Sequence, residues 1–193
     1  MQKIELYKKY KSGNALEIIR DAVLAGDISG EISQNEFADS LGVSRIPVRE
    51  ALIALEYQGL VEKLPNQHVR VITLDDESIR NLFADMSILS LNAIQNLSDE
   101  NIHLLSLSER QQDFHRYLYE KTTSPLRKIF LRTAAQTYLA FILEHSDGKN
   151  ISPAFENLKR SLGDPDALKT AYSVYAEVLA DELIRIRREN KEE

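Results

Sequence analysis

The chain has 193 residues, 43% hydrophobic and 28% charged, with a formal net charge of −6. It contains no cysteine, which excludes disulfides, zinc–thiolate centres and cysteine nucleophiles. No apolar stretch reaches the length of a membrane span, and charges run through residues 1–20 where a secretory core would lie, so a cytoplasmic protein with no membrane partner is expected.

Negative charge is unevenly placed. Residues 1–73 carry nine Lys/Arg against ten Asp/Glu, and residues 74–193 carry fifteen against twenty. Attraction to phosphate depends on the face presented, so an acidic chain with a locally basic surface can still bind DNA.

In chain order, residues 1–12 read as a Lys- and Tyr-rich arm. Residues 14–25 repeat apolar side chains at helical spacing through Leu16, Ile19, Val23 and Leu24, and Gly26 supplies a stop. Ser33 followed by Glu36 is a capping-box pattern. It opens a short helix with Phe37, Ala38 and Leu41 inward and Gly42 at its end. Ser44 then stands as the N-cap of a helix starting at Arg45, with Pro47 in the first turn, where a missing N–H costs nothing. Val48, Leu52 and Leu55 form its inward stripe, and Gly59 ends it.

Over residues 60–73 the period changes. LVEKL and HVRVITL, separated by PNQ, read as two short strands joined by a turn. Three helices and a β-hairpin make one small domain over 1–73. From Asp75 helices are expected at 75–96, 98–106, 109–121, 125–144, 152–161 and 165–189, an all-α bundle over 74–193. The fold class is therefore mainly α, a winged helix-turn-helix followed by a helical-bundle domain.

Residues 34–59 point most directly to function. A short helix, a tight Gly-containing turn and a second helix form the unit that lays one helix in a major groove. Arg45 and Arg49, four apart, share a face of that second helix. A guanidinium can donate two hydrogen bonds at once to guanine or to phosphate. Ser44 and the helix N-terminus suit a phosphate. The alternative is that both arginines are solvated surface groups, or paired with Glu50 or Glu56.

The segment GVSRIPVREALIALEYQGLV resembles the DNA-binding signature of the GntR family of bacterial repressors, and LEIIRDAVLAGDISGEISQNEFADSL resembles that family's first two helices. The resemblance covers about residues 14–72. It implies DNA contacts from Arg45 and Arg49, with Ser44 and Pro47 opening the recognition helix. It also implies that the hairpin is a wing approaching the minor groove, with Arg70 a candidate phosphate contact. The family's wing tip carries a glycine in a basic turn, whereas this chain has Asn66, Gln67 and His68.

Residues 74–193 resemble the helical ligand-binding domain of the FadR-like (FCD) branch, through DFHRYLYEKTTSP and LGDPDALKTAYSVYAEVLADEL. The resemblance implies a homodimer on double-stranded operator DNA, modulated by a small-molecule effector such as a carboxylate. Many members of that branch hold a divalent metal through one Asp and three His. The matching positions here are Gln111, His115, about Pro153 and about Tyr175, so no metal or other cofactor is expected. Effector contacts are expected among Arg80, Asn81, His115, Arg127 and Arg132. The alternative for His115 is a hydrogen-bonded histidine inside a helical core, and for the others a surface position.

Two other classes remain open. An enzyme is disfavoured, because GxGxxG, P-loop, HExxH and GxSxG motifs are all missing and the acidic pairs sit beside turns, where they suit helix caps. A helical protein-interaction module with a degenerate winged helix would account for the acidic charge and the altered wing.

Overall fold

The computed structural model describes residues 14–65 and 68–192. The expected amino-terminal arm and the wing-tip residues Asn66 and Gln67 lie outside the described residues. The chain divides into two compact units, residues 1–74 with 187–193, and residues 75–186.

The first unit opens with α1 (Ala15–Ala25). Its N-terminus is tied by a reciprocal pair: Asn14 Oδ1 accepts from the Glu17 N–H at 3.1 Å, and the Asn14 N–H donates to Glu17 Oε2 at 3.0 Å. The helix stops at Gly26, whose φ of 81° is a left-handed conformation that favours glycine. Then follow β1 (Glu31–Ser33), α2 (Gln34–Leu41), α3 (Arg45–Tyr57), β2 (Val61–Lys63) and β3 (His68–Val71). The capping box read at Ser33 is present: Ser33 Oγ accepts from the Glu36 N–H at 3.2 Å, and the Ser33 N–H donates to Glu36 Oε2 at 2.7 Å.

Helices α1 and α2 both pack on α3. The inward stripe is the expected one: Val48, Leu52 and Leu55 are buried, as are Ile19 and Leu24 of α1 and Phe37 of α2. The hairpin acquires a partner the residue pattern did not reveal. β1 pairs antiparallel with β3, and the sheet order is β1-β3-β2. Three residues are too few to display alternation, so β1 left no periodic signal. Ile32, Val61, Val69 and Val71 line the inner face of this sheet, and Glu31, Glu62 and Arg70 stand on the outer one.

The second unit is all helical: α4 (Asp76–Ile94), α5 (Asp99–Ser106), α6 (Gln111–Lys121), α7 (Pro125–Ala134), α8 (Ala140–His145), α9 (Ile151–Arg160) and α10 (Pro165–Glu192), whose last turns group with the first unit. Asp75 and Ser98 cap α4 and α5 through their side chains. The helix expected over 125–144 contains one wide π turn, Ala135–Leu139, between α7 and α8. A single widened turn spans too few residues to carry a pattern of its own, so no local spacing marked it. The core of this unit is aromatic: Phe83, Phe114, Phe141, Tyr172 and Tyr175 are fully buried. Among the described residues, no helix is long and apolar enough to cross a membrane.

Candidate nucleic-acid interface

Helix α3 buries Val48, Ala51, Leu52 and Leu55 and turns its other side outward. Ser44 occupies the N-cap position with extended backbone, φ −69° and ψ 165°, yet its side chain makes no capping hydrogen bond. Its hydroxyl is exposed, and the first-turn N–H groups are not engaged by it. Pro47 is half-buried in that first turn.

Arg45 and Arg49 are both exposed. Among the described residues neither forms an ion pair or hydrogen bond, so the expected alternative of pairing with Glu50 or Glu56 is not realised. Arg49 borders a shallow depression of about 50 Å³ with Gln34, Ile53, Glu56 and Lys63, which sets it beside the β2 edge of the hairpin. Two unpaired guanidiniums, a free hydroxyl and a helix N-terminus therefore share one end of α3. That donor set suits phosphates and guanine edges.

Arg70 is placed differently. The strand register sets it between Glu31 on β1 and Glu62 on β2. Its guanidinium donates to Glu31 Oε1 at 2.9 Å and to Glu62 Oε2 at 3.2 Å. The Glu31 hydrogen bond, then the charge of Glu62, raises its pKa further, so it is a cation with both neighbours acidic. Neutralisation of this kind was invisible in the sequence, where Glu31 and Arg70 are far apart.

The second unit brings together three of the four positions that the FadR-like resemblance assigns to a metal. His115 Nε2 lies 3.2 Å from the Tyr175 hydroxyl, which donates to Gln111 Oε1 at 2.7 Å. Because that hydroxyl spends its proton on Gln111, the imidazole N–H at Nε2 must be the donor to the tyrosine oxygen. Pro153, the fourth position, is exposed. Burial lowers the His115 pKa to about 4 and raises that of Tyr175, so both are neutral at pH 7. Around them Phe114 meets Phe155 edge-on at 5.4 Å, and the His115 and Tyr175 rings stack at 5.9 Å. A neutral amide, a phenol and one imidazole, already satisfying each other, do not fit a divalent metal that wants carboxylate and imidazole ligands. Among the described residues no group of three or more His, Cys, Asp or Glu is placed to hold one.

Of the other residues nominated for an effector, Arg80 pairs with Asp181 at 2.7 Å on the surface, and Asn81 is exposed. Arg127 donates to the Asn92 carbonyl at 3.4 Å, and Arg132 is exposed. Only His115 enters the buried cluster. A cleft of about 540 Å³ opens elsewhere in this unit, lined by Ile94, Leu97, Ile102, His103, Lys159 and Leu168 among others. None of the five nominated residues lines it. Its walls come from four separate segments, so no local spacing marked it.

An exposed, basic-tipped helix packed on two others and backed by a hairpin defines a winged helix-turn-helix. Residues 12–71 match the bacterial regulatory proteins of the gntR family. The match covers the amino-terminal unit and stops before the helical one. An uncharacterized HTH-type transcriptional regulator in an unstable DNA locus of Streptomyces ambofaciens is 27% identical over 201 residues, covering 90% of this chain and 85% of that protein. Two solved structures share the fold. E. coli McbR/YncC does so with TM-score 0.53, 16% identity and coverage of 91% and 96% of the two chains. The Listeria monocytogenes structure described as "Lar controls the expression of the Listeria monocytogenes agr system and mediates virulence" has TM-score 0.54, 16% identity and coverage of 89% and 95%.

Proposed function

We propose that this protein is a dimeric transcriptional repressor of the FadR-like type, whose affinity for operator DNA responds to a small molecule taken up by its helical unit. The observation that carries the reading is the free, outward pair Arg45 and Arg49 at the N-terminal end of α3, beside the uncommitted Ser44 hydroxyl. Arg49 reaches a base edge or phosphate, Arg45 a base edge, and Ser44 a phosphate. Pro47 sets the backbone of the turn from which they project. Arg70 reaches phosphate only by exchanging its two carboxylates, so it contributes little while they hold it.

Pairing is supported by an apolar face on α7, where Leu126, Ile129 and Phe130 are 70%, 49% and 61% exposed at helical spacing. A twofold dimer presents two recognition helices to a short palindrome about one DNA turn apart. The open cleft supports effector entry, although its Lys159 is held by Glu156 at 2.9 Å and by the Ser108 carbonyl at 3.0 Å, so a carboxylate effector would have to displace Glu156. Effector and DNA then change each other's affinity by the same factor.

The test is a gel-shift titration against the DNA upstream of the protein's own gene. Arg45→Ala and Arg49→Ala each should weaken binding roughly 5- to 150-fold, the equivalent of about 1–3 kcal/mol for a bidentate guanine contact. Both should melt like the parent. Unchanged affinity and sequence preference in both variants would remove the proposed contact face.

A further inference from the structure

The outermost line of α3 is apolar. Ile46, Ile53 and Tyr57, spaced i, i+7 and i+11 and therefore on one side, are 70%, 42% and 87% exposed. They lie opposite the buried stripe of Val48, Ala51, Leu52 and Leu55. Ile46 is the second residue of the helix, next to Arg45, with Arg49 one turn on.

An isoleucine there has no local reason to exist. β-Branched residues are mediocre helix formers, and a side chain left in water gains nothing from packing. Residues at the start of a recognition helix meet base edges. The apolar group that the major groove displays is the 5-methyl of thymine. Beside Arg45 and Arg49, the apolar group exposed in the first turn is Ile46, while the carboxylates of Glu50 and Glu56 stand further along the same exposed side.

We infer that Ile46 is a specificity-determining residue that reads a thymine 5-methyl group, so each operator half-site carries a T·A pair beside the pair contacted by the arginines. The inference rests on the DNA-binding reading above and extends it to a named base. Arg45 and Arg49 supply charge and guanine preference. Ile46 supplies a preference that involves no hydrogen bond and is insensitive to salt.

Full-length protein is used to select duplexes from a random-sequence library, and each thymine of the enriched duplex is replaced in turn by deoxyuridine. That exchange removes one methyl group and keeps the base pair. Parent protein is expected to bind about fourfold more weakly when one particular thymine of a half-site is replaced, the size of one lost methyl contact, and to ignore replacement elsewhere. Ile46→Ala should bind the parent duplex more weakly and no longer distinguish thymine from deoxyuridine at that position. Ile46→Val, with a branched side chain kept, should retain part of the discrimination, and thermal unfolding of both variants should match the parent. If selection succeeds but no thymine methyl matters, or if Ile46→Ala stays as methyl-sensitive as the parent, the inference is wrong and the regulator reading survives. If no sequence is enriched, the DNA-binding reading fails and takes the inference with it.

Discussion

The two units use their polar residues in opposite ways. In the amino-terminal unit, Arg45 and Arg49 stand in solvent in the first turns of α3. In the helical unit, Gln111, His115 and Tyr175 are buried and consume one another's hydrogen-bonding capacity. On the proposed function the first set is kept free for DNA, since internal pairing would have to be undone on binding. An interior polar cluster survives only when each member is satisfied. The match to the gntR family model lies in the first unit, around α3, and does not extend to His115. Around His115 the Gln–Tyr–His set forms a hydrogen-bonded core.

The sharpest way to break that contrast is by pH. His115 titrates at about 4 when folded, below the ordinary 6.5. The unfolded chain therefore binds a proton over a range in which the folded one does not. Stability from this source is complete above about pH 6.5 and falls as pH drops toward 4, by roughly 3 kcal/mol at the lower end. Denaturant unfolding between pH 7 and 4 should show the loss, and His115→Gln should flatten that part of the curve. An unchanged slope in the variant would mean that the imidazole is not buried neutral.

Tyr175→Phe tests the centre of the cluster. It removes the hydroxyl that joins Gln111 to His115 and leaves two buried groups unpartnered, a cost of about 2 kcal/mol by denaturant unfolding. Operator affinity, compared at equal folded fraction, should not move. In the other unit, Ser33→Ala cuts the capping box that starts α2 and should cost about 1 kcal/mol, read as a lower midpoint in thermal or denaturant unfolding.

The smallest effect sharpens the comparison on the sheet. Arg70 behaves like a residue of the helical unit, spent on Glu31 and Glu62. Removing both acids as Glu31→Gln with Glu62→Gln should free the guanidinium and tighten DNA binding about two- to fivefold at low salt, with a steeper salt dependence. Adding Arg70→Ala to that pair should cancel most of the gain. A double variant that binds DNA no better than the parent would separate Arg70 from the DNA-facing surface.

Local chemistry carried far in this chain. The Ser33–Glu36 box, the stops at Gly26 and Gly42 and the Val48–Leu52–Leu55 stripe depend on neighbours within about a turn, so spacing alone exposed the three helices of the first unit. The expected helices of the second unit likewise begin and end at side-chain caps and breakers, within a few residues of those observed. Strand β1, with three residues, and the π turn inside the α7–α8 rod, with five, were too short to leave a periodic mark.

What residue order determined about this protein is the series of helices, the winged-helix pattern and the identity of the two arginines at its tip. What only tertiary structure decided is which charges remain available. Arg45 and Arg49 stay free, Arg70 is held by acids from two other strands, and three scattered positions become one buried hydrogen-bonded cluster. The physical reason is range. Helix propensity and capping act between residues three or four apart, whereas ion pairing and burial depend on which distant segments the packed chain sets side by side.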